Sequence, residues 1–459
     1  MFENKTKASQ KNYLPEQKDY MIVRSDEAKY LFLAESLRFF KVTGDSMGEY
    51  LRLCETEEDT DTFLSEDELI SIKSFMTKKD DPETDAAPVD SGLRPVSSPD
   101  AHDFLILSLT NQCNLSCRYC FAEISKKHST MTFETAKKAI DTMIEQGKRD
   151  KAYSIFFFGG EPLMKKKLVE QIADYAFEEI VHKKKGKVNY LLNTNATLID
   201  DEIIQLFRKY NFVVTVSLDG PRSYHDANRI YASGKGSFEK VVENALLLKS
   251  SAIKTNIRAT FSPDIRDLVS VFDYLESLKL PYNYAFTINS EYKMNLRETL
   301  FEEEQFKTVE NELRKAAKYF YSKIWNGEPV YNMGLNQKIS VLKHKMKRRY
   351  SCEAGRKSMT VDEQGNYYAC QNMIPYKQTV IGTVDTGISD GNRLKYQSKN
   401  LETLIECRDC WIRNLCAGGC EVERSNPNVQ TRNQMCRLFR MEWENALYLY
   451  ALLKETKKN

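Results

Sequence analysis

The chain has 459 residues, 67 Lys and Arg against 65 Asp and Glu, and 41% hydrophobic residues. A net charge of +2 argues against a strongly basic nucleic-acid binder, and no run of about 18 uninterrupted apolar residues suggests a membrane-spanning helix. The N-terminus MFENKTKASQKN is polar and lacks an apolar signal core, so the chain reads as cytoplasmic. Its 11 cysteines should then stay reduced, which points to metal ligation or redox chemistry.

The first 77 residues read as a small α+β module. Tyr20–Arg24, Lys29–Leu33 and Leu37–Val42 have strand character. A first helix runs through Cys54 and a second starts after Ser65, with Glu68 completing a capping box. Cys54 stands alone and reads as a small buried apolar residue. Residues 78–102 hold four of the 12 prolines and almost no large apolar side chains, which is linker composition.

From 103 to 290 strands alternate with helices. The strands are Phe104–Thr110, Tyr153–Phe158, Val188–Asn193, Phe212–Leu218, Thr255–Phe261 and Tyr282–Thr287. The helices cover about 132–147, 164–182, 200–210, 237–250 and 265–279. This alternation predicts right-handed crossovers and a parallel sheet. Six units suit a partial (β/α)6 barrel, with its active site at the C-terminal ends of the strands. Residues 291–350 read as a charged helical bridge, ending in the basic run Lys343–Arg349, taken as a solvated helix face. From 351 onward the chain is rich in cysteine and glycine, with a final helix over about 20 residues.

Two cysteine constellations carry the chemistry. The first, Cys113-x3-Cys117-x2-Cys120, begins where the first barrel strand ends. A four-iron cubane normally takes four thiolates; three hold three irons and leave one corner for an outside ligand. Three of four zinc ligands is the alternative. The second constellation holds seven cysteines: Cys352, Cys370, Cys407, Cys410, Cys416, Cys420 and Cys436. Seven thiols suit two sites with one ligand missing. The Cys407-x2-Cys410-x5-Cys416-x3-Cys420 core could also be a zinc ribbon.

The C-x3-C-x-aromatic-C motif on a β/α barrel resembles the radical S-adenosylmethionine (SAM) enzymes. Gly159-Gly160-Glu161-Pro162 follows the second strand and Thr194-Asn195 the third. Ser217-Leu218-Asp219-Gly220 ends the fourth, and His225-Asp226-Ala227-Asn228-Arg229 comes soon after. The resemblance implies a [4Fe-4S] cluster on Cys113, Cys117 and Cys120. It implies SAM held by Gly159, Gly160, Glu161 and Pro162 at its amino group and by Arg229 or Ser217 at its carboxylate. Tyr119 would contact the adenine, with Asn195 and Asp219 in the same site. The expected chemistry is a 5′-deoxyadenosyl radical that takes a hydrogen atom from substrate.

The second constellation resembles the SPASM extension of peptide-modifying radical enzymes, giving residues 351–459 as a SPASM domain. The resemblance puts one auxiliary [4Fe-4S] cluster on Cys352, Cys370 and Cys420. It puts another on Cys407, Cys410, Cys416 and Cys436, for three clusters in all. Two departures from the related sulfatase maturases matter. Ser358 stands where those enzymes complete the first auxiliary cluster with a cysteine. Gln371 stands where they carry a catalytic aspartate. A vacant iron could take a substrate thiolate; Ser358, Glu353 or water could fill it instead. The N-terminal module resembles, by architecture, the winged-helix-like units that hold a precursor's leader as an added strand, with the third strand as the docking edge. The chain is most similar in kind to thioether-forming ranthipeptide-type maturases of ribosomal peptides, served by a flavodoxin- or ferredoxin-type reductant. Carbon–carbon crosslinking or epimerisation is the rival chemistry, and a zinc-binding scaffold the rival class.

Overall fold

The structure, a computed structural model, describes residues 20–24, 29–34, 37–41, 103–120, 128–147, 152–183, 186–287, 301–389, 391–392, 396, 401–424 and 429–455. The two expected N-terminal helices, Cys54 and the linker at 78–102 lie outside these residues.

Near the N-terminus β1 (Tyr20–Arg24), β2 (Lys29–Leu33) and β3 (Arg38–Lys41) form an antiparallel sheet in the order β1-β2-β3. Leu37, at φ 51°, turns the chain into β3. Tyr30 stacks on Phe39 with ring centroids 4.8 Å apart. The buried Phe32 meets Trp411 edge-on, Phe39 meets Tyr450, and Asn414 Nδ2 donates to the Ala34 carbonyl at 2.9 Å. The small sheet is therefore seated on the C-terminal part of the chain.

The expected parallel sheet is present. It comprises β4 (Phe104–Ser108), β5 (Ala152–Phe158), β6 (Lys187–Thr194), β7 (Val213–Ser217), β8 (Lys254–Phe261) and β9 (Tyr282–Phe286), paired in sequence order. The first strand is buried along nearly its whole length, as a strand covered on both faces must be. On β8, Ile257, Ala259 and Phe261 are buried in the outer core while Arg258 and Thr260 alternate to the concave face. The helices between strands are α1 (Phe133–Gln146), α2 (Lys166–Ala176), α3 (Asp201–Lys209), α4 (Arg222–Asn228), α5 (Phe238–Ser250) and α6 (Leu268–Ser277). Thr132, Asp200 and Asp267 cap α1, α3 and α6 by accepting from backbone N–H groups, which satisfies donors the helix leaves unpaired.

Three features differ from the sequence expectation. The region 164–182 is not one helix. A 3-10 turn at Pro162–Lys165 precedes α2, and a π-helical turn at Phe177–Lys183 follows it. The short helix α4 was absent from the pattern because only His225 and Asn228 of its seven residues are buried. Third, the cysteine-rich segment contributes sheet. β10 (Ser358–Val361) pairs in parallel with β4, and β11 (Asn366–Tyr368), β12 (Gly382–Thr383) and β13 (Gly387–Ile388) extend it antiparallel, making ten strands.

Beyond β9 the helical bridge is two helices, α7 (Glu303–Trp325) and α8 (Met333–His344). α8 ends at Lys345, φ 51°, so the basic run leaves the helix after His344, and Arg348 N–H bonds the Asn414 carbonyl at 2.8 Å. The last helix, α9 (Val429–Glu455), packs against α7 through Arg314 and Glu444, 3.0 Å apart. Among the described residues no helix is long and apolar enough to cross a membrane.

Candidate active site at the barrel mouth

The loop after β4 carries Cys113, Cys117 and Cys120 and is fixed on two sides. On one side Gly160 N–H donates to the Thr110 carbonyl at 2.7 Å and Glu161 N–H to the Gln112 carbonyl at 2.8 Å. A Cβ on Gly159 would stand 2.4 Å from the Thr110 oxygen, and one on Gly160 would stand 2.1 Å from the Gln112 oxygen. The paired glycines are thus required for the backbones to approach this closely. On the other side Ser116 N–H donates to the Ile230 carbonyl at 2.7 Å and Arg118 N–H to the Asn228 carbonyl at 3.0 Å.

The Glu161 carboxylate is buried. It accepts from Leu163 N–H at 3.0 Å, Thr194 Oγ1 at 2.8 Å and Asn195 N–H at 2.7 Å. Burial raises its pKa to about 7, against the lowering effect of those donors. Pro162 opens the following 3-10 turn, which Glu161 caps. Asn195 Nδ2 reaches Asn114 Oδ1 at 2.8 Å and lies 3.8 Å from Cys113 Sγ. Asn195 therefore ties the end of β6 to the cysteine loop.

Asp219 and Arg229 form a buried ion pair, with Arg229 Nε 3.0 Å from Asp219 Oδ2. The Tyr119 hydroxyl donates to the same oxygen, and Thr260 N–H donates to Oδ1 at 2.9 Å. The Arg229 guanidinium lies 5.3 Å from the Tyr119 ring centroid and also reaches the Cys117 thiol. Ser217, at the end of β7, is buried beside this group. The structure thus brings Tyr119, Ser217, Asp219 and Arg229 to one strand end next to the cysteines. Sequence reasoning singled out Arg229 but passed over His225, Ser237 and Thr260. The signal for His225 lay in its own motif, four residues before Arg229.

Burial favours the protonated form of Cys113 and Cys117. It raises Cys113 to about 12 and Cys117 to about 11, the latter despite the Arg229 charge. A metal that binds here must displace those protons. The C-terminal cysteines sort into two electrostatic groups. Cys370 is raised to about 12 by burial, with added repulsion from Cys420 and Cys352. Cys416 is raised by burial, with repulsion from Cys436, Cys410 and Cys407. Those four, together with Cys420, Phe439 and Arg440, line one cavity of about 410 Å³. Among the described residues no three His, Cys, Asp or Glu side chains converge on a single ion position. Thiolates grouped in fours are the donor set of a four-iron cluster. Ser358 lies in β10, next to the barrel's first strand. The Glu353 carboxylate lies 3.8 Å from Arg356 Nη1 and 3.9 Å from Lys357 Nζ. Gln371 Oε1 is 3.5 Å from Cys370 Sγ.

A parallel β/α sheet with three cysteines at its mouth defines a radical SAM core. Residues 107–272 match the model of the Radical SAM superfamily. Over 158 residues the chain is 37% identical to an uncharacterised protein of Methanocaldococcus jannaschii, matching 34% of this chain and 52% of that protein. It thus spans about half the length of that relative. It is 24% identical over 355 residues to the radical SAM cyclopropyl synthase TigE of Paramaledivibacter caminithermalis, covering 73% of this chain and 72% of that one. It is 24% identical over 369 residues to a cysteine-type anaerobic sulfatase-maturating enzyme of Clostridium novyi, covering 75% and 94%. Among solved structures, anSMEcpe with bound AdoMet superposes with a TM-score of 0.65 at 20% identity, over 78% of this chain and all of that one. Streptococcus suis SuiB bound to precursor peptide SuiA superposes with a TM-score of 0.51 at 15% identity, over 88% and 94%. The chain is thus similar in sequence to proteins described as a cyclopropyl synthase and a sulfatase-maturating enzyme, and in fold to anSMEcpe and SuiB.

Proposed function

We propose that the chain is a radical SAM maturase that joins a cysteine sulfur to a side-chain carbon in a ribosomally made precursor peptide. The observation that carries this reading is the grouping of ten thiols by their mutual repulsions: three at the barrel mouth, Cys352 and Cys420 with Cys370, and Cys407, Cys410 and Cys436 with Cys416. In this reading the barrel, residues 103–290, binds SAM; 291–350 bridges; and 351–459 holds two auxiliary clusters. When bound, the clusters and SAM supply a 5′-deoxyadenosyl radical for hydrogen abstraction and an acceptor for the second electron.

The chain's own residues do the positioning. Cys113, Cys117 and Cys120 hold the first cluster and leave one corner open. Gly159 and Gly160 let backbone approach the methionyl amino group, with Glu161, Pro162 and Asn195 fixing that turn. Arg229, backed by Asp219, faces the carboxylate together with Ser217, and Tyr119 flanks the adenine. Gln371 cannot take a proton as an aspartate does, which supports chemistry other than formylglycine formation. The three-thiol set leaves room for a sulfur ligand from the peptide itself.

The small N-terminal sheet supports a leader-docking role for residues 1–77, with β3 as the outer edge; SuiB, of similar fold, is described bound to a precursor peptide. An external flavodoxin- or ferredoxin-type protein would supply the electron. The test is anaerobic turnover of a cysteine-containing precursor encoded beside the chain. A thioether product loses two hydrogens and one alkylatable thiol. Likeness to a cyclopropyl synthase favours carbon–carbon bond formation as the second reading; its product also loses two hydrogens but keeps every thiol. Epimerisation leaves the mass unchanged.

A further inference from the structure

His225 is fully buried in α4, the helix that leads through Arg229 into a short hairpin, and the function just proposed gives it no part. Its ring nitrogens have two partners. Asp219 N–H lies 3.3 Å from Nδ1, and Ser237 Oγ lies 3.0 Å from Nε2. Ser237 Oγ in turn donates to the Arg229 carbonyl at 2.8 Å, and Arg229 Nε returns to Asp219 at 3.0 Å. The four residues close a ring from Asp219 through His225, Ser237 and Arg229 back to Asp219.

The donors in this ring assign its protons. A carbonyl only accepts, so the Ser237 hydroxyl hydrogen points at Arg229. Ser237 Oγ must therefore accept from His225, which places the imidazole hydrogen on Nε2. A backbone N–H only donates, so Nδ1 accepts from Asp219 and carries no hydrogen. A second proton on the imidazole would set one N–H against another. Only the neutral Nε2–H tautomer satisfies every member.

The ring sits at the base of a short hairpin. Tyr231 N–H bonds the Lys235 carbonyl at 2.9 Å, and Asp226 Oδ1 accepts from Phe238 N–H at 2.9 Å to begin α5. A Cβ on Gly236 would meet the Asp226 carboxylate at 2.3 Å. The same hairpin bonds the cysteine loop through Ile230. The orientation of Arg229 relative to the cysteines thus passes through His225 and Ser237.

We propose that His225, locked as the neutral Nε2–H tautomer, is a positioning residue that with Ser237 aims Arg229 at the carboxylate of S-adenosylmethionine. The inference rests on the reading of Arg229 as the carboxylate-binding residue. His225 does not touch the cofactor; it fixes the carbonyl and side chain of the residue that does. Arg229 Nε is committed to Asp219, and Nη2 lies 3.5 Å from Thr260 Oγ1, so the guanidinium is held at both ends of one side.

Equilibrium binding of SAM to the anaerobically loaded full chain tests this, with iron content and the cluster's electron paramagnetic resonance signal measured on the same samples. His225→Phe and Ser237→Ala each weaken SAM binding by about tenfold, the weight of one buried hydrogen bond, with iron and signal intact. The loss falls on KM for 5′-deoxyadenosine formation more than on kcat. His225→Gln, whose amide can still donate to Ser237, loses less than His225→Phe. The double variant loses no more than the worse single one, because one ring is broken once. Ser237→Ala is the mild variant that keeps the test valid if His225→Phe fails to fold. Unchanged SAM affinity in folded Ser237→Ala and His225→Gln, alongside weakened binding in Arg229→Gln, overturns the positioning role alone. Unchanged affinity in Arg229→Gln overturns the carboxylate assignment beneath it.

Discussion

Gly160 has no space for even one methyl group. Its Cβ direction runs into the Gln112 carbonyl, which is backbone and cannot rotate away. Gly160→Ala should therefore pry the second strand's turn off the cysteine loop, at a cost of about 2 kcal/mol or more. Urea unfolding of the purified chain checks this, and 5′-deoxyadenosine formation should fall with it. Nearby, burial depresses the His225 pKa from 6.5 to about 4. Below pH 6.5 the unfolded chain takes up the proton first, so this residue's share of stability is full above 6.5 and is lost as pH falls toward 4. Between pH 7 and pH 5 the loss is about 2 kcal/mol. His225→Gln should flatten that part of the stability profile, read from urea midpoints at the two pH values. The cysteines and the Gly159-Gly160 pair were legible in the sequence because ligation and close backbone approach each demand one residue type. The ring through Ser237 was not. Serine at 237 and histidine at 225 are ordinary residues until the hairpin folds them onto Asp219.

At the scale of elements, the β/α alternation gave the six parallel strands to within a residue or two, because β4 is apolar along nearly its whole length and strands such as β8 alternate with period two. What escaped was set by tertiary contact. β10 is four residues long, and nothing in Ser358–Val361 distinguishes a lone hairpin strand from one that pairs with the barrel's first strand. The break at 162–183 escaped for a related reason: Glu161 spends its carboxylate on Leu163, Thr194 and Asn195, which forces a 3-10 entry before α2. The seating of the N-terminal sheet is likewise tertiary. Phe32 is fully buried between that sheet and Trp411. Phe32→Ala should cost about 3 kcal/mol locally and loosen the sheet from the C-terminal segment. Limited proteolysis should then release an N-terminal fragment sooner than from wild type, while bound iron stays the same.

For the whole molecule, the decisive feature is that ten thiols belong to three places rather than one. A polar, nearly neutral chain of 459 residues covers eight of them in part and leaves Cys352 and Cys436 exposed, and desolvation raises the pKa of thiols such as Cys113, Cys117 and Cys370. Filling the sites must then release protons and add stability, because each thiolate becomes paired with metal. If each place holds a four-iron cubane, the anaerobically reconstituted chain carries about 12 irons and as many sulfides. Replacing Cys113, Cys117 and Cys120 by alanine should leave about eight irons and abolish 5′-deoxyadenosine. Replacing Cys407, Cys410, Cys416 and Cys436 should also leave about eight, since these four repel one another as a group apart from Cys352, Cys370 and Cys420. Iron and acid-labile sulfide analysis of the three proteins decides the matter. Independent losses of about four irons each mean that the sets are separate sites, as their mutual repulsions indicate. Zinc without sulfide in the unaltered chain would instead mean that the C-terminal cysteines close on single ions, and the auxiliary electron acceptor would have no place in this protein.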